Sequence, residues 1–101
     1  MAAPARPRIT DVARAFADLV KDDPRVIGLW ERDQKNGTEL FLYTVELTED
    51  EDRSFTDLEF VVQERVRDYP FIVYGFQRDF EGTGYEFRPP GGAVQVLPEA
   101  R

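Results

Sequence analysis

An Asn-Gly pair between two strand-like runs constrains the fold of this chain more than any other feature. Asn36-Gly37 lies between residues 25–31 and residues 38–47, both of which are rich in β-branched, aromatic and aliphatic side chains. Asn and Gly tolerate positive φ, which the tight turns of β-hairpins require. The pair therefore predicts an antiparallel hairpin, although the polar residues around it leave open a loop longer than two residues.

The second run of the hairpin has apolar residues on both faces. Leu40 and Leu42 share one face, and the other face carries Phe41, Tyr43, Val45 and Leu47. Successive side chains of a strand point to opposite faces, so an apolar pattern on both indicates burial on both sides. We expect residues 38–47 to form an interior strand of a sheet.

Two amphipathic helices flank this hairpin. Thr10 is a candidate N-cap for a helix over residues 11–21, whose apolar stripe is Val12, Phe16, Leu19 and Val20. Ser54 and Asp57 resemble a capping box that begins a second helix over residues 55–68. Its predicted buried stripe is Phe55, Leu58, Val62, Val66 and Tyr69, broadened by Phe60 and Val61.

The remaining segments predict two further strands. Residues 71–76 are β-branched and aromatic, with Gly75 expected to mark a bulge or a close backbone approach. Residues 78–92 are expected to be mostly loop, and residues 93–97 a last short strand. The fold class is then α+β, in the order α-β-β-α-β(-β), with two helices packed on one face of a small sheet. We expect a flexible N-terminal tail over residues 1–9 and one domain over residues 10–98.

Composition limits the possible chemistry. The 101 residues contain no histidine and no cysteine, the side chains most used for catalysis near neutral pH. We therefore expect no enzymatic activity, no catalytic residues, no cofactor and no metal. The absence of cysteine suits the cytoplasm, and neither the first eight residues nor any later run predicts a signal peptide or a membrane span.

The negative charge is concentrated in one window. Residues 31–59 hold ten acidic and three basic side chains, which equals the −7 net charge of the whole chain. Affinity for phosphate backbones comes from clustered Lys and Arg, so direct nucleic-acid binding is disfavoured. The window instead predicts a negative field suited to a basic partner.

Within that window, Glu49, Asp50, Glu51 and Asp52 form an uninterrupted acidic run. The run lacks the alternating ligands and the glycine of an EF-hand loop, so we expect a solvated loop and a steering patch for a basic partner. Other acids raise the possibility of a carboxylate pair for acid–base chemistry: Glu39, Glu46, Asp57 and Glu59. We expect Glu39 and Glu46 to face solvent at strand ends.

Two further features have both a structural and a functional interpretation. Gly82-Thr83-Gly84 lacks the third glycine and the following helix of a nucleotide loop, so a turn is expected. Tyr74, Phe76 and Phe80 make the third strand and its loop aromatic. Such residues close cores, but they are also enriched at protein interfaces, and we assign them to a partner-binding surface. Trp30 is expected to pack in the core.

The order of elements over residues 12–73 resembles the minimal nucleotidyltransferase core, including its small antitoxin-like members. In that family a Gly-Ser turn follows the first strand, and Ser-Asp-x-Asp begins the next strand and holds Mg²⁺. The matching stretches here are Trp30-Glu31-Arg32 and Thr38-Glu39-Leu40-Phe41. Gly-Ser is absent, Glu39 replaces the first Asp and Phe41 the second. One carboxylate cannot hold two metals, so the resemblance implies a catalytically inactive member.

The leading hypothesis is a non-catalytic, acidic protein-interaction module, such as an antitoxin or an inhibitor of a basic partner. Two alternatives stay open. One is a degenerate nucleotidyltransferase-like domain that binds nucleotide or metal near Glu39. The other is a homo-oligomer formed by pairing exposed sheet edges.

Overall fold

The computed structural model describes residues 10–67, 69–78, 82 and 86–98. They form two helices and four strands in the expected order α-β-β-α-β-β: α1 (Asp11–Val20), β1 (Val26–Gln34), β2 (Gly37–Thr44), α2 (Glu49–Arg65), β3 (Phe71–Gln77) and β4 (Val94–Leu97). The predicted tail at residues 1–9, Phe80, Thr83 and Gly84 lie outside the described residues. The α+β fold class is confirmed.

The four strands form one mixed sheet in the order β3-β2-β1-β4. β1 is antiparallel to both β2 and β4, and β2 is parallel to β3. The hairpin is confirmed, but its two loop residues are Lys35 and Asn36 rather than Asn36 and Gly37, because Gln34 pairs with Gly37, the first residue of β2. Gly37 has φ 144° and lies so close to the carbonyl oxygen of Pro70 that any Cβ would be only 2.5 Å away. Only glycine fits there.

The predicted first helix is confirmed. Thr10 caps α1 by accepting a hydrogen bond from Ala13 N–H at 3.2 Å. Val12, Phe16 and Val20 are fully buried and pack on Leu40 and Leu42 of β2. The helix stripe and the aliphatic face of β2 therefore form one core, with both helices on the same face of the sheet.

The second helix begins earlier than the sequence predicts. The expected Ser54–Asp57 capping box is wrong, because the N-cap is Thr48 and the reciprocal partner is Glu51. Glu51 N–H donates to Thr48 Oγ1 at 3.2 Å, and Thr48 N–H donates to Glu51 Oε1 at 2.9 Å. The acidic run, expected to be a loop, is the first turn of α2, where carboxylates are favoured by the helix dipole.

The buried stripe of α2 is narrower than expected. Phe55 and Val62 are buried, while Leu58 and Val66 are half-buried. The prediction that Phe60 and Val61 broaden the stripe is wrong, because they are 69% and 40% exposed. α2 packs mainly beside α1. The side chains of Phe60 and Val61 therefore face away from the core.

The face of the sheet opposite the helices carries aromatic residues. Phe87, which precedes β4, is 8% exposed and packs on Trp30, Tyr43 and Phe76 with ring centroids 4.7 to 5.3 Å apart. Trp30 therefore packs in this cluster and is half-buried. The pairing of β2 with β3 is regular through Gly75, so the expected bulge is absent, and nothing lies within 4 Å of a Cβ built there. Among the described helices, none is long and apolar enough to cross a membrane.

Candidate functional site

The four residues of the acidic run, Glu49 to Asp52, have different environments. Glu51 completes the capping box and accepts a hydrogen bond from Arg25 Nη1 at 3.3 Å. The Thr48 backbone N–H, and then the Thr48 and Arg25 side chains, lower the pKa of Glu51. Glu49 lies 3.7 Å from Arg53. Asp50 and Asp52 are exposed and form no ion pair among the described residues, which leaves their charge available to a partner.

Arg25 fixes the position of this acidic turn. Its Nε and Nη2 donate to the two oxygens of Asp23 at 2.9 and 2.6 Å, and its Nη1 donates to Glu51. The guanidinium carbon also lies 4.8 Å from the centre of the Phe55 ring. The hydrogen bonds that the Arg25 side chain donates to Asp23 hold the pKa of Asp23 below its usual value. A planar, always-charged guanidinium thus joins the start of β1 to the start of α2.

A groove of about 350 Å³ separates α2 from the helix-facing side of β2 and β3. Asp52, Phe55, Thr56 and Glu59 line it from α2, at the three- and four-residue spacing of a single helix face. Val73, Gly75 and Gln77 line it from β3. The groove therefore has two carboxylates on the α2 wall and both apolar and polar side chains, such as Val73 and Gln77, on the sheet side.

Burial raises the pKa of Glu59, and the nearby charge of Asp52 raises it further. Two carboxylates that repel each other in a partly desolvated groove attract a positive charge. Of the acids considered for a carboxylate pair, only Glu59 lines this groove, and it shares the groove with Asp52. Asp57 is exposed elsewhere on α2, and Glu46 is exposed after β2.

The predicted aromatic contact residues have different environments. Phe41 stacks on Tyr74 and Phe76 at centroid distances of 5.6 and 6.4 Å. Phe76 is half-buried in the aromatic cluster, whereas Tyr74 is 40% exposed. Phe80, the third predicted contact residue, lies outside the described residues. Of the predicted contact residues that the structure describes, Tyr74 is the one whose side chain is exposed and can contact a partner.

Glu39 is engaged within the protein. Its Oε1 accepts a hydrogen bond from Arg32 Nε at 2.9 Å, which lowers the pKa of Glu39. The guanidinium of Arg32 also lies 5.5 Å from the centre of the Phe41 ring. The expectation that Glu39 faces solvent is wrong, because it is half-buried in this ion pair. Within the described part of the chain, no three His, Cys, Asp or Glu side chains form a group that could hold a metal ion.

Four exposed apolar or aromatic side chains were not predicted to be exposed: Phe60, Val61, Tyr69 and Ile72. Tyr69, expected in the buried stripe of α2, lies beyond the end of that helix and is 37% exposed. Ile72 is 48% exposed, on the same face of β3 as Tyr74. Alternation with Tyr74 and Phe76 places Ile72 on the aromatic face, which could have been read from the sequence. Comparisons of this chain with protein-family models, curated proteins and solved structures find no match.

Proposed function

We propose that this protein is a non-catalytic interaction domain that binds the basic surface of a partner protein, with an antitoxin or enzyme inhibitor as the concrete form. The observation that carries the proposal is the coexistence of exposed acidic and exposed large apolar side chains around α2 and β3. Asp50 and Asp52 supply charge and Phe60 supplies apolar surface on α2, while Ile72 and Tyr74 supply apolar surface on the opposite face of the sheet, beside the β3 edge. Protein recognition sites typically combine charged and apolar side chains.

The charge on α2 supports a basic partner. This helix contains seven acidic and two basic residues, so most of the negative charge of the chain lies on one element. A concentrated charge raises the rate at which an oppositely charged protein reaches its binding orientation. Acidic inhibitors of nucleic-acid enzymes use this property, since their carboxylates occupy a cleft built for phosphates.

The exposed apolar residues support binding beyond electrostatic attraction. Phe60 is 69% exposed in a helix whose other large apolar residues are buried or half-buried, apart from Val61. Burying an aromatic side chain at an interface contributes more to affinity than a solvent-screened ion pair. We therefore assign the acidic residues to the association rate and the apolar residues to the lifetime of the complex.

The test is affinity capture from a lysate of the source cells, at low and at moderate salt, followed by mass spectrometry. The bait proteins are the parent, Asp50→Asn/Asp52→Asn, and the control Asp18→Asn/Asp22→Asn, whose exposed carboxylates lie in and after α1. Both variants change the net charge equally.

We expect a basic protein that the parent and the control retain at low salt, and that the α2 variant retains less well. Elution of this protein as salt rises would agree with the proposal. Equal retention by all three baits, or retention of no basic protein, would contradict it.

A further inference from the structure

β3 is an unprotected edge of the sheet. Its seven residues contain neither a charged residue nor a proline, the usual devices that block pairing at an edge, and no described strand lies beyond it. The opposite edge, β4, is only four residues long. A long uncharged edge is a template for another extended segment.

The hydrogen bonds at both ends of β3 show which of its backbone groups are unpaired. Thr38 N–H donates to the Pro70 carbonyl at 3.0 Å, and Arg78 N–H donates to the Thr44 carbonyl at 2.7 Å. Residues of a parallel strand alternate in the neighbour that they bond. Even-numbered residues therefore bond β2, and the outward N–H and C=O groups belong to Phe71, Val73, Gly75 and Gln77.

The two faces beside this edge differ in chemistry. On the aromatic face, Ile72 and Tyr74 are 48% and 40% exposed. On the helix side, the groove carries Asp52 and Glu59 above Val73 and Gly75. An added strand places alternate side chains on these two faces.

From this arrangement we propose that β3 accepts an extended segment of the basic partner as a fifth strand, with apolar side chains over Ile72 and Tyr74 and alternating Lys or Arg side chains in the groove near Asp52 and Glu59. The inference rests on the proposed function, and adds to it the binding mode and the sequence pattern of the bound segment. Main-chain bonds to Val73, Gly75 and Gln77 hold the segment, and the two faces select its pattern.

Charge favours a partner segment over a second copy of this chain. β3 itself contains no basic residue. Two copies paired edge to edge would bring two acidic grooves together, each from a chain of net charge −7. Like charges placed together at an interface disfavour association.

Gly75 provides a matched pair of variants for the test. A Cβ at this residue meets nothing within 4 Å, so Gly75→Ala keeps both the fold and the outward N–H. Gly75→Pro removes that N–H and no bond to β2. The probe is a fluorescein-labelled peptide of alternating Val and Lys, measured by fluorescence anisotropy, with a Val-Glu peptide as the control.

We expect the parent and Gly75→Ala to bind the Val-Lys peptide with affinities within about twofold, and Gly75→Pro to bind at least about tenfold more weakly. In the parent, the peptide should slow amide hydrogen exchange at Val73, Gly75 and Gln77. Equal binding of the Val-Glu peptide, equal binding by Gly75→Pro, or no change in exchange at these amides would overturn the proposal.

Three further experiments complete the test. Denaturation and Trp30 fluorescence show whether Gly75→Pro folds. If it does not fold, Glu59→Gln replaces it in the binding experiment, with the exposed Asp57→Asn as control. Only Glu59→Gln should weaken binding of the Val-Lys peptide. Light scattering that shows a dimer, dissociated by Gly75→Pro, would assign the edge to a second copy and overturn the proposal. Retention of the captured basic protein by Gly75→Pro as strong as by Gly75→Ala would reject this binding mode and leave the proposed function standing.

Discussion

Glu31 of β1 accepts hydrogen bonds from both the backbone N–H and the hydroxyl of Thr10, at 3.1 and 2.7 Å. Thr10 is the N-cap of α1, and Glu31 is only 3% exposed. A carboxylate in the sheet thus receives the first donors of the helix, where negative charge is favoured. The pair fixes the start of α1 over the sheet.

Replacement of Glu31 should therefore be costly. We expect Glu31→Ala to lower the free energy of unfolding by about 2 kcal/mol, because bonds to a charged group are lost and the Thr10 donors remain half-buried. Glu31→Gln, which keeps an acceptor oxygen, should lose less. Urea denaturation measures both, with the exposed Glu46→Ala as control, and a loss for Glu31→Ala no larger than that of the control would contradict this role.

A second prediction concerns the ring of Trp30. A methyl carbon at Gly28 would lie 2.5 and 2.6 Å from two carbons of the indole ring. Gly28→Ala should displace the ring from Phe87, with a cost of about 1 to 3 kcal/mol. Trp30 is the only tryptophan, so its fluorescence reports the displacement directly. The emission should shift to longer wavelength in Gly28→Ala and stay unchanged in Gly75→Ala; unchanged emission in both would exclude the clash.

A third prediction separates the two phenylalanines of α2. We expect Phe60→Ser to change stability by less than about 0.5 kcal/mol, since the side chain is largely exposed. Phe55→Ala should cost about 3 to 5 kcal/mol, because it leaves a cavity beside α1. Thermal and urea denaturation measure both. A similar loss in the two variants would show that Phe60 is packed in solution.

Phe55 and Phe60 of α2 show what the spacing of apolar residues in a helix can and cannot predict. The spacing of Phe55 and Val62 correctly indicated a buried stripe, because helix periodicity is local. The exposure of Phe60 depends on the placement of α2 beside α1, which no local pattern contains. The hairpin, the interior position of β2 and the Thr10 cap were predictable for the same local reason.

The other differences between prediction and structure have one local cause and two long-range causes. The capping box of Thr48 and Glu51 is a local signal, but the four consecutive acids favour a loop in the sequence and so point to Ser54 as the start of the helix. The burial of Glu31 could not be predicted, because its partner Thr10 is 21 residues away in the sequence. The groove likewise joins Asp52 and Glu59 to β3, so it appears only once the sheet order is known.

A fourth prediction is the pH dependence of Glu59. Its raised pKa means that the folded state holds this proton more tightly than the unfolded state does. The stabilising contribution is complete below the unfolded pKa and is lost as the pH rises through the folded value. Glu59→Gln should thus be more stable than the parent at neutral pH and lose this advantage below about pH 4. Urea denaturation at the two pH values tests this, and an advantage of equal size at both would refute the assignment.

The central claim is that charge on α2 brings a basic partner protein to this surface. The most direct measurement is the association rate constant, by stopped-flow fluorescence of Trp30, for the basic protein isolated by capture, as a function of salt concentration. We expect the rate for the parent and for Asp18→Asn/Asp22→Asn to fall by about tenfold or more as salt rises, and the rate for Asp50→Asn/Asp52→Asn to start lower and fall less steeply. A rate independent of salt, or one with the same slope in all three proteins, would contradict the account.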